Sequence, residues 1–352
     1  MVVPNVPGVR VSTVSQSSIS TLQGLLDDEL GSDPTTVRGL TNHLPMALVA
    51  KERLGANADE LIRFAAAYST RIAPLPEPEH RLNDKTWHSA IGHGAAGADL
   101  RSYFVRLISE VGPDEALRTH LPALLPGVGG AGFHGVIRLA YAIEVSSPSR
   151  IAAGLAYLAE VGRPLGPLVR GKVTTQEPTK IFAELSTSSD WSAPLPQKTI
   201  DAEMHIVAEN DLFNAVVSSL EITDDTDDKL TEAALHVFAS SNDFTALHGV
   251  TGLAAISSIR PWIDDNHVVS RYAFQALTAA YLSIGAPPLW SEGQLDEFVG
   301  SNESDPSEVK AVAANSDDEH VSKLVYTAHR SWERTNDPLY LAVAARKALP
   351  IG

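Results

Sequence analysis

The chain has 352 residues and a formal net charge of −16 at pH 7, with 43 acidic side chains against 27 basic ones. That balance argues against nucleic acid and anionic membrane surfaces as partners, since both are bound through clustered Lys and Arg. There is no cysteine, which excludes disulfides, zinc–thiolate and iron–sulfur sites and a thiol nucleophile.

Hydrophobic residues make up 44% of the chain, enough for a sizeable core. The first residues, MVVPNVPGVRVSTVSQSS, lack a basic segment followed by an apolar one, so no signal peptide is expected. No apolar run reaches the roughly 18 residues that a membrane span needs, and the expectation is a soluble, cytoplasmic protein.

Taken in order, residues 1–15 read as an irregular lead-in, in which 9–14 is the one alternating stretch. Residues 16–352 read as a single all-α domain. Three- and four-residue apolar spacing predicts helices over 19–30, 44–54 and 58–70, the last two parted at Gly55. Asn42 is placed to cap the second, which puts His43 at its N-terminus. Residues 73–95 read as irregular, followed by helices over 99–110, 113–120, 131–145 and 149–161.

The Pro-, Thr- and Ser-rich stretch 162–197 reads as one long connection. Helices are then expected over 202–220, 229–240, 244–259 and 267–284, with Phe244, Leu247, Thr251 and Ala254 on the inner face of the third. Residues 286–304 read as a loop, and helices over 306–314, 317–332 and 338–347 close the chain.

The string Gly127-Val128-Gly129-Gly130-Ala131-Gly132 fits G-x-G-x-x-G, but no strand precedes it and no βαβ unit follows. A tight turn that lets a helix pack closely is the preferred reading. No G-x-S-x-G, H-E-x-x-H, phosphate-binding loop or EF-hand loop is present. Any metal must be held by His, carboxylate or a modified side chain.

Twelve histidines remain. His43 and His134 lie near the starts of apolar helices, His248 is inside one, and His320 shares a helix face with Lys323. His80, His88, His93, His120 and His267 are expected at the surface, His329 is expected to face solvent, and His236 is the strongest rival ligand. A lysine turned inward beside a histidine is unusual, because an unpaired buried ammonium is costly. The alternative is a stem packed along the helix with its ammonium reaching water or the nearby acids.

Five blocks, NHLPMALVA (42–50), PALLPGVGGAGFHGVIRLAYAIE (122–144), NDFTALHGVTG (242–252), RYAFQALTAAYLSIGAP (271–287) and DDEHVSKLVYTA (317–328), resemble the questin oxidase-like family. The likeness runs in order from about residue 20 to 347. It implies oxidation, with ring opening, of an anthraquinone-like aromatic polyketide by O2. The family has been described both as NADPH-dependent Baeyer–Villiger-type oxidases and as non-haem iron oxygenases. The second description implies Fe(II) held by His43, His134, His248, His320 and a Lys323 carboxylated on its amine. Without a dinucleotide fingerprint for NADPH, the iron version is favoured. Trp87, Tyr103, Tyr141, Phe244 and Tyr272 are candidates to face a flat aromatic substrate, and each also suits plain core. Arg138, one turn from His134, could meet a phenolate or carboxylate or pair with an acid. A helical binding or scaffold protein without chemistry is the alternative from another class.

Overall fold

A computed structural model describes residues 16–191 and 199–349; the lead-in over 1–15 and its alternating stretch 9–14 lie outside the described residues. The architecture is all-α. Helix α1 (Gln16–Glu29) packs on α2 (Leu44–Arg53) and α3 (Ala58–Tyr68). Asn57 caps α3 by accepting from the Glu60 N–H while Glu60 accepts from its own, a reciprocal box that satisfies two orphan donors.

Between these helices runs the single sheet of the described residues, β1 (Ser32–Thr36) antiparallel to β2 (Ile72–Pro74). It anchors the segment that enters α2, where the Asn42 N–H donates to the Pro34 carbonyl.

Next come α4 (Gly97–Val111), α5 (Pro113–Leu124), α6 (His134–Glu144) and α7 (Pro148–Val161). The glycine turn before α6 is a packing device, as the sequence suggests. A Cβ on Gly127 would meet Gly162 at 2.4 Å, and one on Gly130 would meet the Val161 carbonyl at 2.3 Å. Protein backbone fills the space where a pyrophosphate would have to approach.

Two stretches read as irregular carry helices. Within 162–197 lies α8 (Pro178–Leu185), with Pro at its first position, where the missing N–H is harmless. The expected helix 202–220 divides into α9 (Ile200–Ala208) and α10 (Phe213–Val217), parted around Asn210. Then follow α11 (Thr226–Ser241), α12 (Phe244–Ile259) and α13 (Asn266–Ser283). The expected loop 286–304 contains α14 (Glu292–Ser301), whose signal is Ser291-x-x-Gln294: the side-chain Oε1 of Gln294 accepts from the Ser291 N–H. Helices α15 (Pro306–Asn315), α16 (Glu319–Thr335) and α17 (Leu339–Ala348) complete the fold.

One continuous hydrophobic core joins these elements. At its centre α12 is buried nearly all round, which suits a helix without a polar stripe. Four helices close a ring of pairwise contacts, α2 on α6, α6 on α12, α12 on α16 and α16 on α2. No helix of the described residues is long and apolar enough to cross a membrane.

Candidate metal centre

Each helix of that ring contributes one histidine. His43 is the N-cap of α2, His134 the first residue of α6, His320 the second of α16, and His248 stands one turn into α12. The local chain explains each placement. Pro45 in the first turn of α2 suits a helix start. Ala131, Gly132 and Phe133 all have positive φ, a sharp left-handed turn that delivers His134 directly into α6. Asp243 accepts from the Thr245 and Ala246 N–H groups and starts α12; Asp318 accepts from the His320 N–H and starts α16.

The four rings meet. His43 stacks on His134 with centroids 4.6 Å apart, and His320 meets His43 edge-on at 4.8 Å. His248 lies 4.7 Å from His134 and 5.4 Å from His320. Ring nitrogens of His43, His134 and His320 all lie within 4.8 Å of one another, so these three could hold one ion.

The outer nitrogens are all engaged. Nδ1 faces the Glu319 carboxylate in His43 (3.3 Å), the Ala131 carbonyl in His134 (2.5 Å), the Phe244 carbonyl in His248 (2.8 Å) and the Asp318 carboxylate in His320 (2.9 Å). Every one of these partners is an acceptor, which assigns the proton to Nδ1 and leaves Nε2 as a lone pair. Nε2 of His248 and of His320 is buried without a hydrogen-bond partner, and Nε2 of His43 lies 2.7 Å from that of His134. Lone pairs turned toward one another repel, and a cation among them reverses the sign. Outward Nδ1–H bonds with inward Nε2 are how metal-binding imidazoles are oriented, and the nitrogens of His43, His134 and His320, with His248 beside them, suit a first-row metal.

Lys323 joins them from α16, one turn after His320, with 1% of its surface exposed. Burial pushes its ammonium down to about 8, against the through-space pull of Glu319 and Asp318. Burial, followed by Lys323, holds His134 down to about 3 and His43 well below its ordinary value. Burial, followed by His134 and then Lys323, does the same to His248. His320 is lowered by burial against the opposing hydrogen bond to Asp318. All four imidazoles are therefore neutral at pH 7, the form that binds metal.

Sequence reasoning missed the supporting carboxylates. Glu319 also accepts from Arg71 at 3.3 Å. Arg138 was expected to meet a substrate or an acid, and an acid holds it: it donates to Glu29 at 2.6 Å and to the Asn42 carbonyl at 3.2 Å. Because Glu29 also accepts from the Asn42 amide, this buried pair fixes the residue before His43. The signal for Glu29 was faint, one acid at a helix end.

Of the aromatic candidates, Phe244 touches the cluster, 4.6 Å from His248 and 4.7 Å from His320. It does not belong to an inner face; it is 51% exposed and lies over the cluster from outside. Trp87 and Tyr103 form a separate nest with Phe104 and His120, where the Tyr103 hydroxyl donates to Asp84. His120, expected at the surface, is buried there at 4% exposure because Trp87 and Phe104 cover it. Tyr272 is half-buried on α13, outside the ring of four helices. His236 is half-buried near Glu232 and away from the cluster. His329 is half-buried against Trp332 rather than free in solvent.

Tyr141 lines a cavity of about 440 Å³ walled mainly by α6, α12 and α16. Its hydroxyl is buried without a hydrogen bond of normal geometry, although Thr327 stands near enough to bias its titration.

The profile of the questin oxidase-like family matches residues 40–328, which takes in all four histidines and Lys323. A search of curated proteins gives no match.

Proposed function

The chain belongs to the questin oxidase-like family, and from that membership and the histidine cluster we propose that it is a non-haem iron-dependent oxygenase of hydroxylated polycyclic aromatics. The reading extends to oxidative ring cleavage of an anthraquinone- or hydroquinone-like polyketide. The observation that carries it is the state of the imidazoles: each has Nδ1 on an acceptor, Nε2 of His43 and His134 lie 2.7 Å apart, and Nε2 of His248 and of His320 is buried without a partner. His43, His134, His248 and His320 would hold Fe(II), with Lys323 as a fifth ligand after carboxylation. Iron bound there supplies the one-electron and O2 chemistry that protein side chains lack.

The chain's own groups do the rest. Glu319 and Asp318 hold the protons on Nδ1 of His43 and His320 and so keep Nε2 available. Lys323, buried beside four imidazoles, is a neutral amine for an appreciable fraction of the time. A neutral amine adds to the carbon of CO2 and releases one proton, and the carbamate that forms is an anionic oxygen donor. That product exchanges a buried cation for a charge that balances a metal. Phe244 shields the cluster from bulk water on its outer side.

The test is elemental analysis of protein purified without chelator and without a histidine tag, beside His320→Ala and Lys323→Ala. About one iron per chain in the wild type is expected, with loss in both variants and unchanged helical content. A wild type that takes up no metal after anaerobic Fe(II) addition would overturn the reading in favour of a helical binding protein.

A further inference from the structure

The cavity has walls on three of the same four helices; neither the four histidines nor Lys323 line it, and the helical register connects the two. On α6, Ile137 and Tyr141 follow His134 by one and two turns. On α12, Thr251 and Ala255 follow His248 in the same way. On α16, Tyr326, Thr327 and Arg330 follow Lys323. Residues three, four and seven apart share a helix face, so the faces that end in the cluster continue as the cavity wall. One turn, about 5.4 Å, separates them along each axis. A volume of about 440 Å³ lies within the range of small-molecule sites.

The lining is chemically graded. Ile137, Ala254 and Ala255 supply apolar wall. The Tyr141 hydroxyl is buried beside Thr327, without a hydrogen bond of normal geometry. Two arginines complete the lining, in a chain whose net charge is −16. Arg330 donates to Glu144 at 3.1 Å and Arg334 to Asp228 at 2.9 Å, and each remains more than half exposed. A guanidinium has five N–H donors, so one bond to a carboxylate leaves a face of each free. Glu144 does not cancel them, because Arg53 and the Tyr326 hydroxyl also donate to it.

We propose that this cavity is the substrate site and that it selects aromatics bearing an anionic group, a carboxylate or phenolate, which Arg330 and Arg334 bind at its rim. The aromatic class rests on the oxygenase reading above; the place and the anionic group rest on the cavity. The ring system lies along the apolar wall with the Tyr141 hydroxyl facing its oxygens, and its far edge is turned toward the histidines.

Binding is measured on metal-free full-length protein by titrating a dihydroxyanthraquinone carboxylate and its uncharged methyl ester, followed by visible absorbance. The carboxylate is expected to bind about tenfold tighter than the ester, the size of one charge-assisted hydrogen bond. Arg330→Gln and Arg334→Gln should each remove most of that preference and leave the ester unchanged. Ala254→Phe, which fills the cavity, should weaken both probes at least tenfold. Arg334 is surface-exposed, so its variant folds regardless of how the core tolerates a new ring. Equal affinities for the two probes, failure of the wild type to bind either, or affinities indifferent to Ala254→Phe would each overturn the proposal. Because no metal is needed, a protein that binds the carboxylate here yet takes up no iron would sink the oxygenase reading and leave this site standing. An iron-loaded protein whose probe affinity ignores Ala254→Phe would do the reverse.

Discussion

Glu319 shows how one side chain can govern a centre it does not complete. Its carboxylate sits between His43 Nδ1 and Arg71, both at 3.3 Å, and so sets the tautomer and tilt of one imidazole. Glu319→Gln keeps the shape and removes the charge, and metal affinity should fall by about 10- to 100-fold, the usual cost of an outer-shell partner. Competition with a chromophoric chelator reads this directly, and an affinity within twofold of the wild type would show that His43 needs no such partner. The residue scale is also where sequence reasoning was weakest. Periodicity says that His120 is on a helix, but not that Trp87, from a distant 3-10 turn, covers it. It put Phe244 on an inner face, whereas the first residue of a buried helix still emerges at its end.

Between helices, α12 positions α6 by means of an absent side chain. A Cβ on Gly252 would stand 2.5 Å from Cγ and 2.7 Å from Cβ of Phe133. Phe133 is fully buried with φ of 69° and immediately precedes His134. Neither its ring nor its strained backbone can yield cheaply. Gly252→Ala is therefore expected to destabilise the fold by about 1–3 kcal/mol and to weaken metal binding, since His134 moves with Phe133. Denaturant unfolding and metal titration of the same sample separate the two effects. A destabilised variant with unchanged metal affinity would show that His134 is held independently of the turn. The histidine in α12 and the glycine one turn later thus serve one arrangement.

At the scale of the molecule, the centre couples stability to pH. Folded His43, His134, His248 and His320 bind protons more weakly than the unfolded chain does. Below the ordinary value of about 6.5 the unfolded state therefore holds more protons, and acid favours it. This contribution is complete above about 6.5 and is lost as pH falls, toward about 3 for His134. Asp318, held down to about 2 by its bonds to His320, adds a loss of the same sign at lower pH. Metal-free protein should thus show a melting temperature that falls from pH 7 to 5. A metal binding only the folded chain adds about 2.7 kcal/mol at one hundred times its Kd and should raise the curve at pH 7 more than at pH 5. A metal-free curve flat across that range would contradict the neutral, buried state of the four imidazoles.

The sequence by itself determined the helical class, most helix positions and which residue types could bind a metal, because three- and four-residue spacing and the absence of cysteine are local facts. The resemblance to the questin oxidase-like family also lay in local blocks, His43 in one and Lys323 in another. Short helices inside stretches rich in turn formers escaped periodicity: α8 spans only 8 residues, and α14 is announced by a Ser291–Gln294 box rather than an apolar stripe. Only the tertiary structure decided that four histidines 43 to 320 in the chain stand ring to ring, and that Arg138 serves Glu29. It alone decided that a cavity continues the same helix faces. These are distances between segments far apart in sequence. They depend on which faces pack together and how closely, and a one-dimensional pattern does not encode that closeness except where a glycine such as Gly252 hints at it.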